Sequence, residues 1–252
     1  MSSPTVSSSE TVSSEPSATS EYVPTVREKV VSAMRDMASI HWTPSVDITY
    51  YSKEQGKVFR AGTEYVGLPY TMGGGRTATL GSPLAKFKEK LDGQNVYRGP
   101  SGPDEYYGSD CSSSVEGAWR SVGIETGAIY TGAMIPVANP KLRAVGDYDC
   151  SDRSKASESI CAANGATKMH ACYAALQEGD ALVRRVPTSS GYAGHVRLVA
   201  SVDTVAQSVR VIEQCGYGID GQTKTTWRMD RDYTFAQLFD TNYIPISPFS
   251  AE

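Results

Sequence analysis

Apolar residues are nearly absent from the beginning of the chain and then recur at helical spacing. Residues 1–24 are mostly Ser, Thr, Glu and Pro. Such a segment buries too little apolar surface to offset its loss of conformational entropy, which predicts a disordered tail. Val30, Met34 and Met37 follow at spacings of four and three residues and predict a helix, which we expect to end at Pro44.

A second helical stripe follows Cys111. Its apolar members fall at helical spacing, and they are Val115, Ala118, Trp119 and Val122. Asp110 precedes the cysteine, and Asp is one of the residues favoured at the N-cap of a helix. The pattern therefore places Cys111 at the N-terminus of a helix.

The other segments before residue 180 have weaker patterns. Short helices are predicted at 83–91 and around 169–177. The glycine- and aromatic-rich stretch 58–76 is predicted to form loops and turns, and 130–168, which has little periodicity, a long insertion loop. The triple glycine at 73–75 lacks the Gly-Lys-Ser/Thr ending of a phosphate-binding loop, so a nucleotide site is not expected there.

Alternation of apolar and polar residues predicts three consecutive strands in the last third of the chain. They are 181–186, 195–202 and 208–214. His195 opens the second strand, directly after Gly194. A turn near 203–207 would pair the second and third strands and bring His195 opposite residues 213–215. Helices followed by an antiparallel meander predict the α+β fold class.

Composition and charge exclude several classes of partner. The 252 residues are 40% hydrophobic and carry a formal net charge of −4 without a basic stripe, so nucleic acid is not expected as a partner. No apolar run approaches the roughly 20 residues that cross a bilayer, so no membrane span is expected. The N-terminus lacks the basic and apolar regions of a signal peptide, which fits a cytoplasmic protein or a secreted one without its leader. The oligomeric state stays open.

Four of the five cysteines lie beyond the predicted helix start. They are Cys150, Cys161, Cys172 and Cys215. An odd total suggests paired cysteines plus one free thiol, so a disulfide among the first three of these could stabilise the insertion loop. Thiols that all stay reduced are one alternative. A metal site of Cys150, Cys161, Cys172 and His170 is another, although it lacks the closely spaced cysteine pairs of structural zinc sites.

A thiol at a helix N-terminus has the surroundings of a nucleophile. Unpaired backbone N–H groups and the positive end of the helix dipole favour the thiolate form of Cys111. The same N–H groups could donate to the oxyanion of a tetrahedral intermediate. The alternative is an unreactive core cysteine, because free cysteine is commonly buried.

His195 is the candidate general base for this thiol. Glu213, at the end of the next predicted strand, is the candidate group that orients the imidazole, with Gln214 as the alternative. His41 and His170 have the positions of ordinary surface residues. Together these residues predict a cysteine-dependent amide hydrolase.

Four short motifs, taken in order, resemble those of the papain-like superfamily of bacterial cell-wall enzymes, which includes the CHAP amidases and the NlpC-type peptidases. They are Asp110-Cys111-Ser112, Gly179-Asp180, Gly194-His195-Val196 and Glu213-Gln214-Cys215. The resemblance is strongest over residues 60–216. It implies one papain-like catalytic domain over 25–252, with N-terminal helices, the nucleophile at a helix N-terminus and a small antiparallel sheet. Cys215 departs from the pattern, since the CHAP group often has Asn there.

The resemblance also implies an activity. It implies hydrolysis of a peptidoglycan amide bond without a metal or other cofactor, with peptidoglycan or its peptide fragments as partner and an extracellular or cell-envelope location. Asp110, Ser112 and Tyr70 are implied to contact the substrate, with helix capping as the alternative role for Asp110. An acyltransferase or deamidase on the same skeleton and a wall-binding module with a decayed site are the alternative functions.

Overall fold

A computed structural model describes residues 22–50, 58–216 and 224–250 of the chain. The predicted tail, residues 1–24, lies outside the described residues except for its last three. The described residues form six α-helices: α1 Val26–Ser39, α2 Gly74–Thr79, α3 Pro83–Lys88, α4 Cys111–Arg120, α5 Ser157–Ala174 and α6 Phe235–Asp240. None of these helices is long and apolar enough to cross a membrane.

The described residues also form eleven strands. They are β1 His41–Pro44, β2 Ile48–Thr49, β3 Val58–Phe59, β4 Tyr65–Val66, β5 Val96–Tyr97, β6 Arg143–Ala144, β7 Ala181–Thr188, β8 Gly191–Asp203, β9 Ser208–Gln214, β10 Trp227–Thr234 and β11 Tyr243–Ser247. The largest sheet is antiparallel throughout, in the order β10-β9-β8-β7-β11-β6. Helices and a mainly antiparallel sheet confirm the α+β class.

The three predicted strands are confirmed as neighbours in this sheet, but β8 begins earlier than predicted. It begins at Gly191, where it pairs with Thr188, so His195 lies inside the strand, opposite Arg184, and does not open it. Residues 191–194 are all exposed. They have no buried face, so the apolar alternation that marks a strand in the sequence is missing there.

The first helix ends before the predicted position. Ile40 already has extended backbone at φ −63° and ψ 128°, and α1 therefore ends at Ser39 and not at Pro44. Residues 41–44 form β1, which pairs with both β4 and β5. Trp42 on this strand is buried among the rings of Phe59 and Phe87, with ring centroids 5.3 Å from each. Tertiary packing of this ring overrides the local helical pattern.

The predictions for 130–168 and 169–177 were wrong at their shared boundary. Residues 131–134 and 136–138 form short 3₁₀ helices, β6 follows, and α5 already begins at Ser157. This helix is interrupted at Gly165, where φ is +74°. Ala, Ser and Gly make up eight of the 18 residues of α5, so its buried residues make too weak an apolar stripe to be recognised from the sequence.

Segments 58–76 and 83–91 differ from their predictions in detail. The first is mainly irregular, as predicted, but it contains β3 and β4, and α2 begins within the triple glycine at Gly74. The helix predicted over 83–91 ends at Lys88. Gly75 serves packing, because a Cβ there would lie 1.7 Å from the carbonyl oxygen of Tyr106.

Helix α4 is held rigidly between the other helices and the large sheet. It contacts α1, α3, β8 and β9, and Trp119 Nε1 donates a hydrogen bond of 2.8 Å to the carbonyl of Gly179. Glu116 is wholly buried and accepts hydrogen bonds from Arg120 Nε and the Gly127 N–H. The hydrogen bonds of Glu116 in the middle of α4 and of Trp119 near its end fix the position of the helix, and with it the position of Cys111 at its start.

We expect the two neighbouring glycines of α2 to respond oppositely to alanine. Gly75→Ala should lower the free energy of unfolding by about 2 kcal/mol, because its Cβ meets the backbone of Tyr106. Gly74→Ala, whose Cβ would lie 3.8 Å from the carbonyl oxygen of Asp104, should raise it by about 0.5 kcal/mol. Chemical denaturation of the two variants measures both values. Equal effects would contradict the packing role of Gly75.

Candidate active site

Cys111 is the first residue of α4, as predicted. Asp110 caps the helix: its Oδ1 accepts the Ser113 N–H at 2.7 Å, while Ser113 Oγ accepts the Asp110 N–H at 2.8 Å. This reciprocal pair is a capping box, and it sets the first turn so that the cysteine follows it directly. Cys111 is 6% exposed, so its thiol lies at the edge of the core.

The structure gives Asp110 and Ser112 internal partners. Ser112 Oγ donates to Asp110 Oδ1 at 2.9 Å and contacts the carbonyl oxygen of Ile129 at 3.0 Å. Arg76 Nη1 lies 3.4 Å from Asp110 Oδ2. The helix-capping role of Asp110 is thus observed, and both residues connect the helix start to residue 129.

The resting state of the thiol differs from the sequence expectation. Burial raises the pKa of Cys111, and the nearby Asp110 carboxylate raises it further. Hydrogen bonds to the sulfur from the backbone N–H groups of Val196 and Ser112 lower it, without compensating for burial. The helix N-terminus therefore does not by itself produce a thiolate, because desolvation is the larger effect.

His195 and Glu213 come together as the strand-pairing prediction required. His195 Nε2 and Glu213 Oε2 are 2.7 Å apart, although no hydrogen bond within the described residues joins His195 to Cys111. A carboxylate can only accept, so Nε2 carries the proton and Nδ1 is the basic nitrogen of the neutral ring. Val196, the residue after His195, donates its N–H to the cysteine sulfur, which connects the two parts of the site.

Glu213 is the most heavily bonded side chain of the site. It has no solvent exposure, and besides His195 it accepts hydrogen bonds from Arg197 Nε at 2.8 Å and Tyr233 Oη at 2.8 Å. Arg228 Nη1 lies 3.8 Å from its Oε1. Burial alone would raise the pKa of Glu213, but His195 and Arg197 outweigh it and lower the pKa to about 2. Glu213 is therefore a carboxylate at neutral pH.

Gln214 was wrong as an alternative partner for His195. Its Oε1 accepts a hydrogen bond from Ser109 Oγ at 2.6 Å, and its Nε2 donates to the carbonyl of Leu68 at 2.9 Å. Successive residues of a strand point to opposite faces, so Glu213 and Gln214 cannot both reach the histidine. Gln214 instead connects β9 to the loop that precedes α4.

Tyr70 lies beside the same loop, as the resemblance implies for a residue near the nucleophile. It forms a parallel bridge with Ser109, two residues before Cys111. Its ring also lies against Gly216, where a Cβ would come within 3.2 Å of it. The tyrosine is buried, so most of its surface contacts protein.

Sequence reasoning missed two members of the Glu213 network, Arg197 and Tyr233. Arg197 is buried, with its guanidinium carbon 3.7 Å from the ring centre of Tyr233 and 4.1 Å from that of Tyr243. A signal for Arg197 was present, since it follows His195 by two residues and so shares its strand face. Tyr233 and Tyr243 come from strands that no pattern assigned to this place.

Among the described residues, the other two histidines and three of the other cysteines, Cys150, Cys161 and Cys172, form no second centre. His41 pairs with Glu64 at the surface, and His170 packs against aromatic rings on α5 and α6. The predicted disulfide is not formed, since all five cysteines are free. The proposed metal ligands Cys150, Cys161 and Cys172 with His170 do not converge, because the donor group found among the described residues involves other side chains.

That donor group is His195, Glu213 and Cys215, whose ligand atoms all lie within 4.8 Å of one another. Two observations disfavour a cation there. Arg197 and Arg228 already bring positive charge to the Glu213 carboxylate. Burial, with Glu213 adding to it, raises the pKa of Cys215 to about 11, so a neutral thiol is the resting ligand. We therefore assign no metal to this group.

We expect Glu213→Gln to destabilise the fold. Removing one partner of a buried ion pair leaves Arg197 uncompensated, which should lower the free energy of unfolding by about 3 kcal/mol at pH 7. The pKa of Glu213 is lowered to about 2 from 4.5, so its contribution is present above pH 4.5 and is lost as the pH falls toward 2. Denaturation of parent and variant at pH 7 and pH 3 measures the difference, which should shrink at the lower pH.

Asp232→Asn is the matched control for this change. Asp232 pairs with Arg210 at an exposed position of the neighbouring strands, where solvent screens the interaction. Its loss should have a much smaller effect than Glu213→Gln. An equal effect, or a Glu213→Gln effect that does not change with pH, would contradict the role of the buried carboxylate.

Comparison with known proteins identifies no relative of this chain. No protein-family model, no curated protein and no solved structure matches the chain. The chemistry of the site is therefore inferred from its own residues: a thiol at a helix start, a histidine on the adjoining strand and a buried carboxylate behind it.

Proposed function

We propose that the protein is a cysteine-dependent amide hydrolase with Cys111 as nucleophile and His195 as general base. The observation that carries the proposal is the 2.7 Å contact between His195 Nε2 and the buried Glu213 carboxylate. A carboxylate at one imidazole nitrogen fixes the tautomer and leaves the other nitrogen free to take a proton. The Val196 N–H at the cysteine sulfur brings the thiol to the same strand.

A papain-like arrangement is the finer proposal for the fold. It is supported by a nucleophile helix, α4, that packs against the antiparallel strands β8 and β9. The motifs that resemble those of the cell-wall enzymes lie on these elements, with Asp110-Cys111-Ser112 at the start of α4 and Gly194-His195-Val196 inside β8. Glu213-Gln214 ends β9.

The first half of the proposed reaction forms a thioester. Cys111 Sγ bonds to the amide carbon while His195 Nδ1 takes the thiol proton. Because burial raises the pKa of Cys111, this proton moves during the attack. The C–N bond then breaks and the amine leaves with the proton from His195. Glu213 stabilises the imidazolium that exists between these two steps.

The second half regenerates the thiol. Water attacks the thioester carbon, Nδ1 of His195 takes the proton of that water, and the C–S bond breaks as the sulfur regains a proton. The Cys111 N–H is suited to hold the oxyanion in both halves. It belongs to the first residue of α4, where a helix has no intrahelical acceptor.

Peptidoglycan, at a stem-peptide or muramoyl-peptide amide bond, is the proposed substrate. Support for it comes from the motif resemblance, and an extracellular or cell-envelope location follows only from that substrate. A decayed wall-binding module is less favoured, because the contact between His195 and Glu213 is intact. An acyltransferase or deamidase would share the first half-reaction, and its products would distinguish it.

The decisive experiment compares Cys111→Ala with the parent protein on purified peptidoglycan of several chemotypes. Mass spectrometry identifies the released amines and fragments. We expect the variant to lose at least about 1,000-fold of the parent rate, because the covalent step needs the sulfur. Cys150→Ala is the matched control, since this free cysteine lies outside the site and its loss should leave the rate unchanged.

Three outcomes would overturn the proposal in different ways. If the parent releases nothing from any wall, peptidoglycan hydrolysis is wrong. If fragments appear with an added amine acceptor in place of water, the enzyme is an acyltransferase. Equal activity of Cys111→Ala and the parent would remove Cys111 as nucleophile.

The raised pKa of Cys111 predicts how its reactivity depends on pH. The thiol is protonated at neutral pH, so alkylation by iodoacetamide should accelerate about tenfold per pH unit between pH 7 and pH 9. Mass spectrometry of the peptide that contains Cys111 measures the rate. A rate that is already maximal at pH 7 would indicate a preformed thiolate and would contradict this resting state.

A further inference from the structure

Residues 129–131, the bridging segment, connect the nucleophile helix to the histidine strand. At one end the Ile129 carbonyl oxygen is 3.0 Å from Ser112 Oγ and accepts a hydrogen bond of 2.7 Å from Arg76 Nη1. At the other end Thr131 lies directly on Gly194, where a Cβ would come within 2.1 Å of Thr131 Oγ1. Ser112 follows Cys111 and Gly194 precedes His195, so the segment contacts a chain neighbour of each candidate catalytic residue.

Tyr130, in the middle of the bridging segment, presents its ring to solvent. It is 60% exposed. Arg185 is its neighbour, because the Tyr130 ring and Arg185 Nε lie 2.8 and 3.2 Å from the position that a Cβ at Gly132 would occupy. Arg185 is opposite Gly194 in the pairing of β7 with β8. An exposed aromatic ring and a guanidinium therefore lie together beside Gly194, the residue before His195.

The guanidinium of Arg185 is held in place by hydrogen bonds from Nη1, while its other N–H groups can donate to a ligand. Its Nη1 donates to the carbonyls of Ser154 and Lys155, and its central carbon lies 3.2 Å from the ring centre of Tyr192. No residue that the structure describes accepts a hydrogen bond from its Nε or Nη2. Tyr192 is itself 48% exposed. Such a preorganised fork is suited to a carboxylate, which it can bind with two N–H groups.

We propose that Tyr130, Arg185 and Tyr192 form a substrate subsite for an acidic peptide. A substrate carboxylate binds Arg185, and the neighbouring apolar part of the peptide packs on the ring of Tyr130. The inference rests on the proposed function, since it takes the bond beside Cys111 and His195 as the one cleaved. It deepens that function by naming the charge that the substrate has next to that bond.

The first test measures binding without catalysis. The Cys111→Ala protein is titrated with the synthetic peptide acetyl-Ala-Glu-Ala-amide and with its glutamine analogue, and NMR chemical shifts report the affinity. We expect the acidic peptide to bind about tenfold more tightly, which is the effect of one charge-assisted contact. Arg185→Gln in the same background should abolish the difference, and Tyr130→Ala should weaken both peptides alike.

Two further variants separate the contact from a loss of structure. Arg185→Lys keeps the positive charge and should retain part of the preference, even if the contacts to residues 154 and 155 change. Arg210→Gln removes an exposed arginine of the β9–β10 surface and should leave the preference intact. Equal binding of the two peptides to the Cys111→Ala protein, or no binding of either, would overturn the subsite.

The second test uses whichever wall fragment the parent protein hydrolyses. Tyr130→Ala and Arg185→Gln should each raise KM at least fivefold with kcat nearly unchanged, because they remove binding that substrate and transition state share. Hydrolysis with unchanged KM would refute the subsite and leave the hydrolase intact. A peptide preference in a protein that hydrolyses nothing would refute the hydrolase and leave the subsite intact.

Discussion

A carboxylate that has no contact with water is stable in a protein only where other groups replace its hydration, and Glu213 is such a carboxylate. His195, Arg197 and Tyr233 donate to its two oxygens, and these three residues lie on β8 and β10, on either side of β9. The network thus joins three strands at one point. The imidazole orientation follows from this constraint, because its Nε2 proton has a fixed and charged acceptor.

A second buried carboxylate, Glu116, positions the thiol through α4, the helix that packs against β8 and β9. Glu116 anchors α4 through Arg120 and the Gly127 N–H, while the Asp110 cap sets where the helix begins. The packing that fixes α4 also buries the sulfur of Cys111, and this burial raises the pKa of the thiol. In the proposed reaction the proton therefore moves during the attack, from a neutral thiol to an oriented imidazole.

The bridging segment, residues 129–131, carries the exposed ring of Tyr130 between two contacts with the site. Its ends are fixed by the Ile129 carbonyl and by Thr131 on Gly194, and only its middle residue is presented outward. In the proposed subsite, the bound peptide contacts the Tyr130 ring and the Arg185 guanidinium. Preorganisation of that guanidinium by backbone carbonyls means that little side-chain entropy is lost when a ligand binds.

Local signals in the sequence were sufficient for the start of α4, for three strands of the large sheet and for the closeness of His195 to Glu213. A cap acts within four residues, and a hairpin joins strands that are consecutive in the chain, so both can be read by counting. The approach of Arg197 to Tyr233 and Tyr243 could not be read in this way. β10 is almost wholly exposed and therefore shows no apolar alternation, and β11 pairs with β7, which lies much earlier in the chain. The pKa of Cys111 was likewise decided by tertiary structure, since desolvation depends on every atom that surrounds the sulfur and not on the helix that carries it.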